Sequence, residues 1–359
     1  MKKKVVHIVY SMGCGGLEKV IVNLINGSDE TLEHTIITLI SDFEMVELIE
    51  SPVRVYCVNK RPGKDIGCHF RILKLLFRIR PDIVNTYNFG TIEYHLMAAI
   101  AGVKRKVHSD HGHGGDAADG LNKRNNAIRR FCSRFVDDYV VVSQDLFDWV
   151  KQVVKIKSKR VHIVQNGVPI PKERQKLSHD GLVFCTVGRL DPIKNQKLLI
   201  QAFSLLVKKH PNERLILKIV GDGSERSNLE QLVSELNIED NVQFLGYRDD
   251  IQQQLLSSDV FVLSSHYEAM PMTILESMAT KIPVVTTDVG GIKHFIGESN
   301  ATFVEPGNAQ ALAEAMINAT KNTPQKEALL ERSYQLVVDK YSLEAMCKTY
   351  CQIYGVYDE

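Results

Sequence analysis

The chain has no apolar run approaching the roughly 20 residues that a membrane-spanning helix needs. Its N-terminus is basic, with Lys2, Lys3 and Lys4 running directly into a strand-like stretch. A cytoplasmic protein is therefore expected. Its seven cysteines (Cys14, Cys57, Cys68, Cys132, Cys185, Cys347, Cys351) are odd in number, scattered and without metal-site spacing. They read as reduced, mostly buried thiols rather than a disulfide framework. No internal repeat or low-complexity stretch stands out. No Gly-x-Gly-x-x-Gly follows the first strand-like run, which argues against a dinucleotide-dependent dehydrogenase.

Net charge is also small, +1, but it is unevenly divided. Residues 1–170 carry 25 Lys and Arg against 18 Asp and Glu, and the remainder 19 against 25. The basic first half points to an anionic partner there, phosphate-bearing or an anionic membrane surface, with a plain solvated surface as the alternative.

At 359 residues the chain is too long for one ordinary core, so two domains are expected. Strand-like runs at 4–10, 35–40, 53–58, 82–85, 106–108 and 139–142 alternate with helical spacing near 17–26, 67–79, 91–101, 122–135 and 144–155. A second series follows Asn166-Gly167-Val168-Pro169 and a polar, linker-like segment at 171–180. Its strands are expected at 182–187, 215–220, 242–245, 260–263, 283–286 and 302–304, with helices near 195–209, 224–236, 249–257, 273–279 and 309–319. This alternation predicts two doubly wound parallel sheets, in domains 1–170 and 171–340. The last helical stretches, about 324–338 and 342–355, have no following strand, and the final one, within 341–359, is expected to pack back across the domain boundary.

The most informative motif is Glu268-Ala269-Met270-Pro271-Met272-Thr273-Ile274-Leu275-Glu276, two carboxylates eight residues apart at a strand-to-helix junction. Pro271 favours a helix start near Met272, leaving Glu268 in the loop and Glu276 about one turn into the helix. Both would then lie beyond the carboxyl end of a parallel strand, where open α/β sheets bind ligands. Gly188-Arg189-Leu190-Asp191-Pro192-Ile193-Lys194 places two cations around another strand end. Arg189 can grip phosphate oxygens in a fork and Lys194 adds a point charge.

Gly13, Gly15 and Gly16 lead from the first strand into the first helix, where backbone N–H groups can approach a phosphate; an ordinary turn would use them too. Gly221, Gly223, Gly290 and Gly291 follow strands of the second half and admit a close backbone approach to a ligand. The loop His108-Ser109-Asp110-His111-Gly112-His113-Gly114-Gly115-Asp116 lacks a His-x3-His helix or cysteine partner, so no metal is expected; His111 is read as facing a sugar or phosphate, with an ordinary loop histidine as the alternative. Asn195, Asp222 and Asp259 read as capping or terminating residues. In 122–135, Ile128, Phe131, Cys132 and Phe135 form an apolar stripe expected to face the core. Lys123, Arg124, Arg129, Arg130 and Arg134 fall elsewhere on that helix, and with His69, Arg71, Lys74 and Arg78 they give a weaker membrane-contact reading.

Taken together, Gly15-Gly16-Leu17-Glu18, Arg189 with Lys194, Glu268-x7-Glu276, Pro283-Val284-Val285 and Gly290-Gly291 resemble the family 4 glycosyltransferases, over nearly the whole chain. Arg61-Pro62-Gly63-Lys64-Asp65, the His111 loop and Ser143-Gln144-Asp145 are similar to the bacterial exopolysaccharide and lipopolysaccharide sugar transferases of that family. The resemblance implies a GT-B fold, two facing Rossmann-like domains with a cleft between them. It also implies a retaining, metal-independent transfer of a hexosyl unit from a nucleotide diphosphate sugar, UDP by frequency, to a glycan or lipid-linked acceptor. No cofactor and no nucleic-acid partner are implied, and the site would be cytoplasmic or peripheral at the inner face of the plasma membrane.

On the same resemblance, Glu276 would hold the ribose and Glu268 the transferring sugar, while Arg189 and Lys194 would stabilise the leaving diphosphate. Gly15 and Gly16 would help from the other domain, with His111 near sugar and acceptor. Leu245 and Tyr247 would flank the base, and Met270, Pro271, Gly221, Gly290 and Gly291 would complete the donor site. A nucleotide-sugar epimerase or hydrolase of the same fold, and a noncatalytic sugar-nucleotide-binding protein, are the alternatives.

Overall fold

Val5, Val6, Ile8 and Val9 are fully buried in the first strand, β1 (Lys3–Val9), as a continuous apolar run must be when both faces of a parallel sheet are covered. The computed structural model describes residues 2–112, 120–156, 160–171, 180–268 and 270–356. Around β1 lie β2 (Leu32–Thr38), β3 (Arg54–Cys57), β4 (Ile83–Tyr87), β5 (Arg105–Asp110), β6 (Asp138–Val141) and β7 (Val161–Ile163). They form one parallel sheet in the order β3-β2-β1-β4-β5-β6-β7. Its helices are α1 (Gly16–Asn26), α2 (Ile66–Ile79), α3 (His95–Ile100), α4 (Lys123–Cys132) and α5 (Gln144–Trp149).

A second parallel sheet comprises β8 (Leu182–Val187), β9 (Leu215–Val220), β10 (Val242–Gly246), β11 (Val260–Leu263), β12 (Val284–Thr287) and β13 (Thr302–Val304), in the order β10-β9-β8-β11-β12-β13. With it go α6 (Gln196–Lys209), α7 (Arg226–Glu235), α8 (Ile251–Leu256), α9 (Met272–Ala279), α10 (Ile292–Ile296), α11 (Ala309–Thr320) and α12 (Pro324–Lys340). Phe184, Leu199, Phe203, Leu217 and Val262 are fully buried in its core.

The chain thus makes two compact units, Val168–Ser342 and a discontinuous one joining Met1–Gly167 to Leu343–Glu359. The last helix, α13 (Leu343–Ile353), belongs to the first unit, where it packs against α1. Tyr354 and Tyr350 reach beneath the first sheet, within 2.9 Å of Asn85 Nδ2 and 3.3 Å of Ser109 Oγ. Residues 172–179 of the linker-like segment lie outside the described residues. Two short elements, β7 and α10, are not among those expected.

One expectation is overturned in part. The stripe on α4 faces the core only through Cys132, which is buried, and Phe135, which is half-buried; Phe131 is 54% exposed and Ile128 is exposed as well. The buried face consists of Asn126, Arg129 and Cys132; Arg129 is 1% exposed, with its guanidinium against the rings of Phe89 (4.8 Å) and Trp149 (4.9 Å). Its Nε lies 3.4 Å from Asp110 Oδ2, so a buried counter-charge from β5 turns the helix over.

Candidate active site

In the second unit every sequence motif falls at the carboxyl edge of the sheet, because parallel strands bring all their following loops to that edge. Arg189 and Lys194 follow β8, Gly221 follows β9, Leu245 lies near the end of β10, Glu268 follows β11, and Gly290 and Gly291 follow β12. The loops are knit together. His266 donates its N–H to the Ile193 carbonyl at 2.7 Å, Ser264 Oγ to the Asn195 carbonyl at 2.9 Å, and Thr287 Oγ1 to the Ser265 carbonyl at 2.7 Å. Gly221 (φ +129°) lies against the Gly188 carbonyl and Gly290 (φ +57°) against the Glu268 carbonyl, so a Cβ at either would collide with backbone.

Within this frame Lys194 Nζ donates to Glu268 Oε1 at 2.7 Å. Ser265 Oγ donates to the same oxygen at 2.6 Å. Glu268 is only 7% exposed, and the Lys194 side chain 25%. Arg189 is different: 72% exposed, it meets Asp191 Oδ2 through Nε at 2.7 Å. Asp191 also accepts from the Lys194 N–H at 3.1 Å, and Gln196 Nε2 donates to the Arg189 carbonyl at 3.0 Å, which together shape the turn into α6. The expected cation pair is therefore two cations, each matched to its own carboxylate.

α9 begins at Met272 with Pro271 at its N-cap, and Glu276 is half-buried one turn along it. Met270 and Leu245 are half-buried against the core beside α9, and Tyr247 is exposed. Ala269 lies outside the described residues. Among the three residues read as structural, Asp259 Oδ2 accepts from the Val183 N–H at 2.8 Å and Asp222 pairs with Arg226 at 2.8 Å. Asn195 occupies the N-cap of α6 in a left-handed conformation without a side-chain cap bond. Ser265 and Asp191 had no role in the sequence reading; a pair of serines ending an apolar strand was the only available signal for the first.

In the first unit Gly15 is the N-cap of α1 and Gly16 its first residue, with open space where a Cβ of Gly16 would be. The Glu18 carboxylate folds back against Gly15, and its pKa is raised, by burial above all and by neighbouring Asp42. His111 follows β5; its N–H donates to Asn88 Oδ1 at 2.8 Å and its ring lies 6.0 Å from that of Tyr87. Both ring nitrogens are buried without a hydrogen bond of normal geometry. Burial pushes the imidazole down to about 4, against the opposing pull of Asp110. Residues 113–119, including His113, Gly114, Gly115 and Asp116, lie outside the described residues.

Behind His111, Asp110 accepts from Tyr139 Oη and lies 3.3 Å from His108 Nε2. Burial works to raise its pKa, but Arg129 and His108 hold the carboxyl far below the usual carboxylate range. Among the described residues no three His, Cys, Asp or Glu side chains converge in a way that could hold a metal ion.

Comparison with known proteins accounts for both halves. Residues 14–171 match Glycosyltransferase Family 4, and residues 169–336 match Glycosyl transferases group 1. A lipopolysaccharide core biosynthesis glycosyltransferase of Rhizobium meliloti is 31% identical over 202 residues, 54% of this chain and 58% of that protein. An Escherichia coli UDP-Gal:alpha-D-GlcNAc-diphosphoundecaprenol alpha-1,3-galactosyltransferase is 25% identical over 302 residues, 77% of each chain. The chain spans about three fifths of the first of these relatives, 58%, and of a Methanocaldococcus jannaschii glycosyltransferase that it also matches, 60%. The crystal structure of Anabaena Alr3699/HepE in complex with UDP superposes with a TM-score of 0.80 at 19% identity, covering 99% of this chain and 100% of the other. The chain belongs to the GT-B-fold family 4 glycosyltransferases, with a Glycosyltransferase Family 4 half followed by a group 1 half.

Proposed function

We propose that this protein is a retaining, metal-independent hexosyltransferase that moves a sugar from a nucleotide diphosphate, UDP in the first instance, to a glycan or lipid-linked acceptor of bacterial surface polysaccharide. The observation that carries the reading is the Lys194–Glu268 pair at the carboxyl edge of the second sheet, with Arg189 exposed beside the same turn. The UDP-galactose and diphosphoundecaprenol in the name of the E. coli relative, and the UDP bound to the Anabaena protein, support the donor and acceptor classes.

The chemistry follows from these charges. When the bond from the anomeric carbon to the diphosphate breaks, its electron pair stays on the leaving phosphate oxygen, and negative charge grows there. Lys194 and Arg189 stabilise that charge. A diphosphate recruits Lys194 from Glu268, and the carboxylate so released faces the positive charge developing on the sugar, which Ser265 orients it to meet. The acceptor hydroxyl attacks from the face that the phosphate leaves, and its proton passes to the departing phosphate, so neither a metal nor an enzyme nucleophile is required. Glu276 accepts the two ribose hydroxyls. Gly15, Gly16 and His111 are assigned to phosphate and sugar contacts.

The test is mass spectrometry of products from a panel of nucleotide sugars, with and without lipid-linked acceptors. Sugar-bearing acceptor formed in the absence of divalent metal supports the proposal. Free nucleotide and free sugar irrespective of acceptor would identify a hydrolase, and an inverted anomer, read by NMR of the product's anomeric proton, would refute retention.

A further inference from the structure

Asn88 ends β4 and opens the short helical turn Phe89–Tyr94, yet its side chain makes no capping bond there. Its backbone lies at φ +56° and ψ 176°, a region almost confined to glycine because a Cβ is crowded in it. Such strain persists only where the surroundings enforce it, and two bonds to the β5 segment do so. The Asn88 N–H donates to the Ser109 carbonyl at 2.9 Å, and Asn88 Oδ1 accepts from the His111 N–H at 2.8 Å.

The second bond also fixes the amide's orientation. Only its oxygen can accept from a backbone N–H, so Nδ2 occupies the other side of the amide with two N–H groups to give. Asn88 is half-buried, and among the described residues its Nδ2 has no hydrogen-bond partner. A strained backbone thus holds a pair of donors ready at the carboxyl edge of the first sheet.

The neighbours show what those donors suit. β1 and β4 run parallel with Ile8 beside Thr86, a register that brings Tyr10 level with Asn88. Tyr10 is 51% exposed, and its ring lies beside Gly90. On the other flank stands His111, whose two ring nitrogens are buried without a hydrogen bond of normal geometry. An aromatic ring, an amide and an imidazole therefore stand side by side on three adjacent strand ends, about 4.8 Å from one to the next. Burial holds the imidazole down to about 4, so near neutral pH this trio offers a phosphate no counter-charge. It matches the hydroxyls and the apolar C–H face of a sugar ring.

We infer that Asn88 is a sugar-binding residue, its Nδ2 donating to a hydroxyl of a pyranose seated over the Tyr10, Asn88 and His111 edge. The inference rests on the proposed function and goes beyond it, because that reading gives neither Asn88 nor Tyr10 a role. The ring belongs either to the hexosyl unit of the donor or to the terminal sugar of the acceptor, and one pair of variants separates the two.

Asn88→Gly removes the amide and accepts the backbone conformation, whereas Asn88→Asp keeps an oxygen for the His111 N–H and removes only the donor. Both should fold with Tm near that of the wild-type protein. Calorimetry compares UDP-glucose and UDP-galactose with UDP, the sugar-free reference, and transfer kinetics follow the acceptor that the product screen selects. If the ring is the donor's, both variants bind the UDP-sugar about five- to tenfold more weakly and UDP equally well. If it is the acceptor's, UDP-sugar affinity is unchanged and the acceptor KM rises by a similar factor. Wild-type values for both variants in both arms would overturn the inference. So would wild-type values for Asn88→Asp alone, which would show that the residue only positions His111. Weaker binding of UDP itself, or a fall in Tm at unchanged sugar affinity, would overturn it equally. A wild-type protein that neither binds a UDP-sugar nor transfers one would refute the proposed function, and the inference with it.

Discussion

Replacing Lys194 by alanine should harm the protein twice, and the two effects can be separated. In the folded state Glu268 is 7% exposed and its Oε1 takes hydrogen bonds from Lys194 and Ser265. Removing one partner of a fully buried pair costs about 3–5 kcal/mol. Here the lysine is a quarter exposed and the serine hydroxyl remains, so a loss of about 1–2 kcal/mol is the sounder expectation. For a unit of this size that lowers Tm by roughly 3–6 °C. Glu268→Gln in the Lys194→Ala background removes the stranded charge and should restore most of the loss. A double-mutant cycle by thermal or urea unfolding should therefore show coupling of about 1 kcal/mol or more. Single effects that add within about 0.5 kcal/mol would refute the pairing. Turnover should behave differently: the Lys194→Ala enzyme should lose about 10²-fold or more in kcat, and the glutamine should not rescue it, because the leaving diphosphate still lacks its cation. Rescue of both stability and turnover by the double substitution would show that Lys194 acts only through Glu268.

Arg189 offers the complementary case. It is 72% exposed, so Arg189→Ala should leave Tm nearly unchanged while depressing turnover about 10²-fold, and near-normal transfer by an Arg189/Lys194 double variant would sink the mechanism. Glu276→Ala should abolish most of the thermal stabilisation that UDP confers, measured as the Tm shift at saturating nucleotide; an unchanged shift would remove Glu276 from the donor site. Arg129→Met should cost about 3–5 kcal/mol because it strands the buried Asp110 carboxylate, read as a fall in urea midpoint at unchanged slope. Burial holds His34 and His111 down to about 4, and His7 and His95 well below 6.5, so the unfolded chain takes up protons that the folded one refuses. Stability should be complete above pH 6.5 and decline as pH falls from 6.5 toward 4; a Tm flat between pH 7 and 5 would contradict this.

Much of the second unit can be read from the chain alone because its signals are local. Pro271 marks the start of α9, and the apolar runs ending at Leu263 and Thr287 mark strands whose following loops carry Glu268 and Gly290. α4 could not be read this way. Its periodicity proposes Phe131 for the core, but Asp110 from β5, Phe89 from the segment after β4 and Trp149 from α5 jointly select Arg129. Periodicity ranks side chains by hydrophobicity and carries no information about a counter-charge approaching from elsewhere. For the last helix the sequence offers only the expectation of a return across the domain boundary, and tertiary contacts supply its partners by packing α13 against α1 and bringing Tyr354 to Asn85 and Tyr350 to Ser109.

The sequence by itself determined the strand and helix alternation, and with it the place of every candidate loop at the carboxyl edge of a parallel sheet. Only the tertiary structure decided the partners: Lys194 with Glu268, 74 residues away, Arg189 with Asp191, and Arg129 inside while Phe131 stays out. The physical reason is one of range. Hydrogen-bonding geometry and apolar period act over a few residues, whereas burying a charge is tolerated only where a distant segment supplies the opposite one.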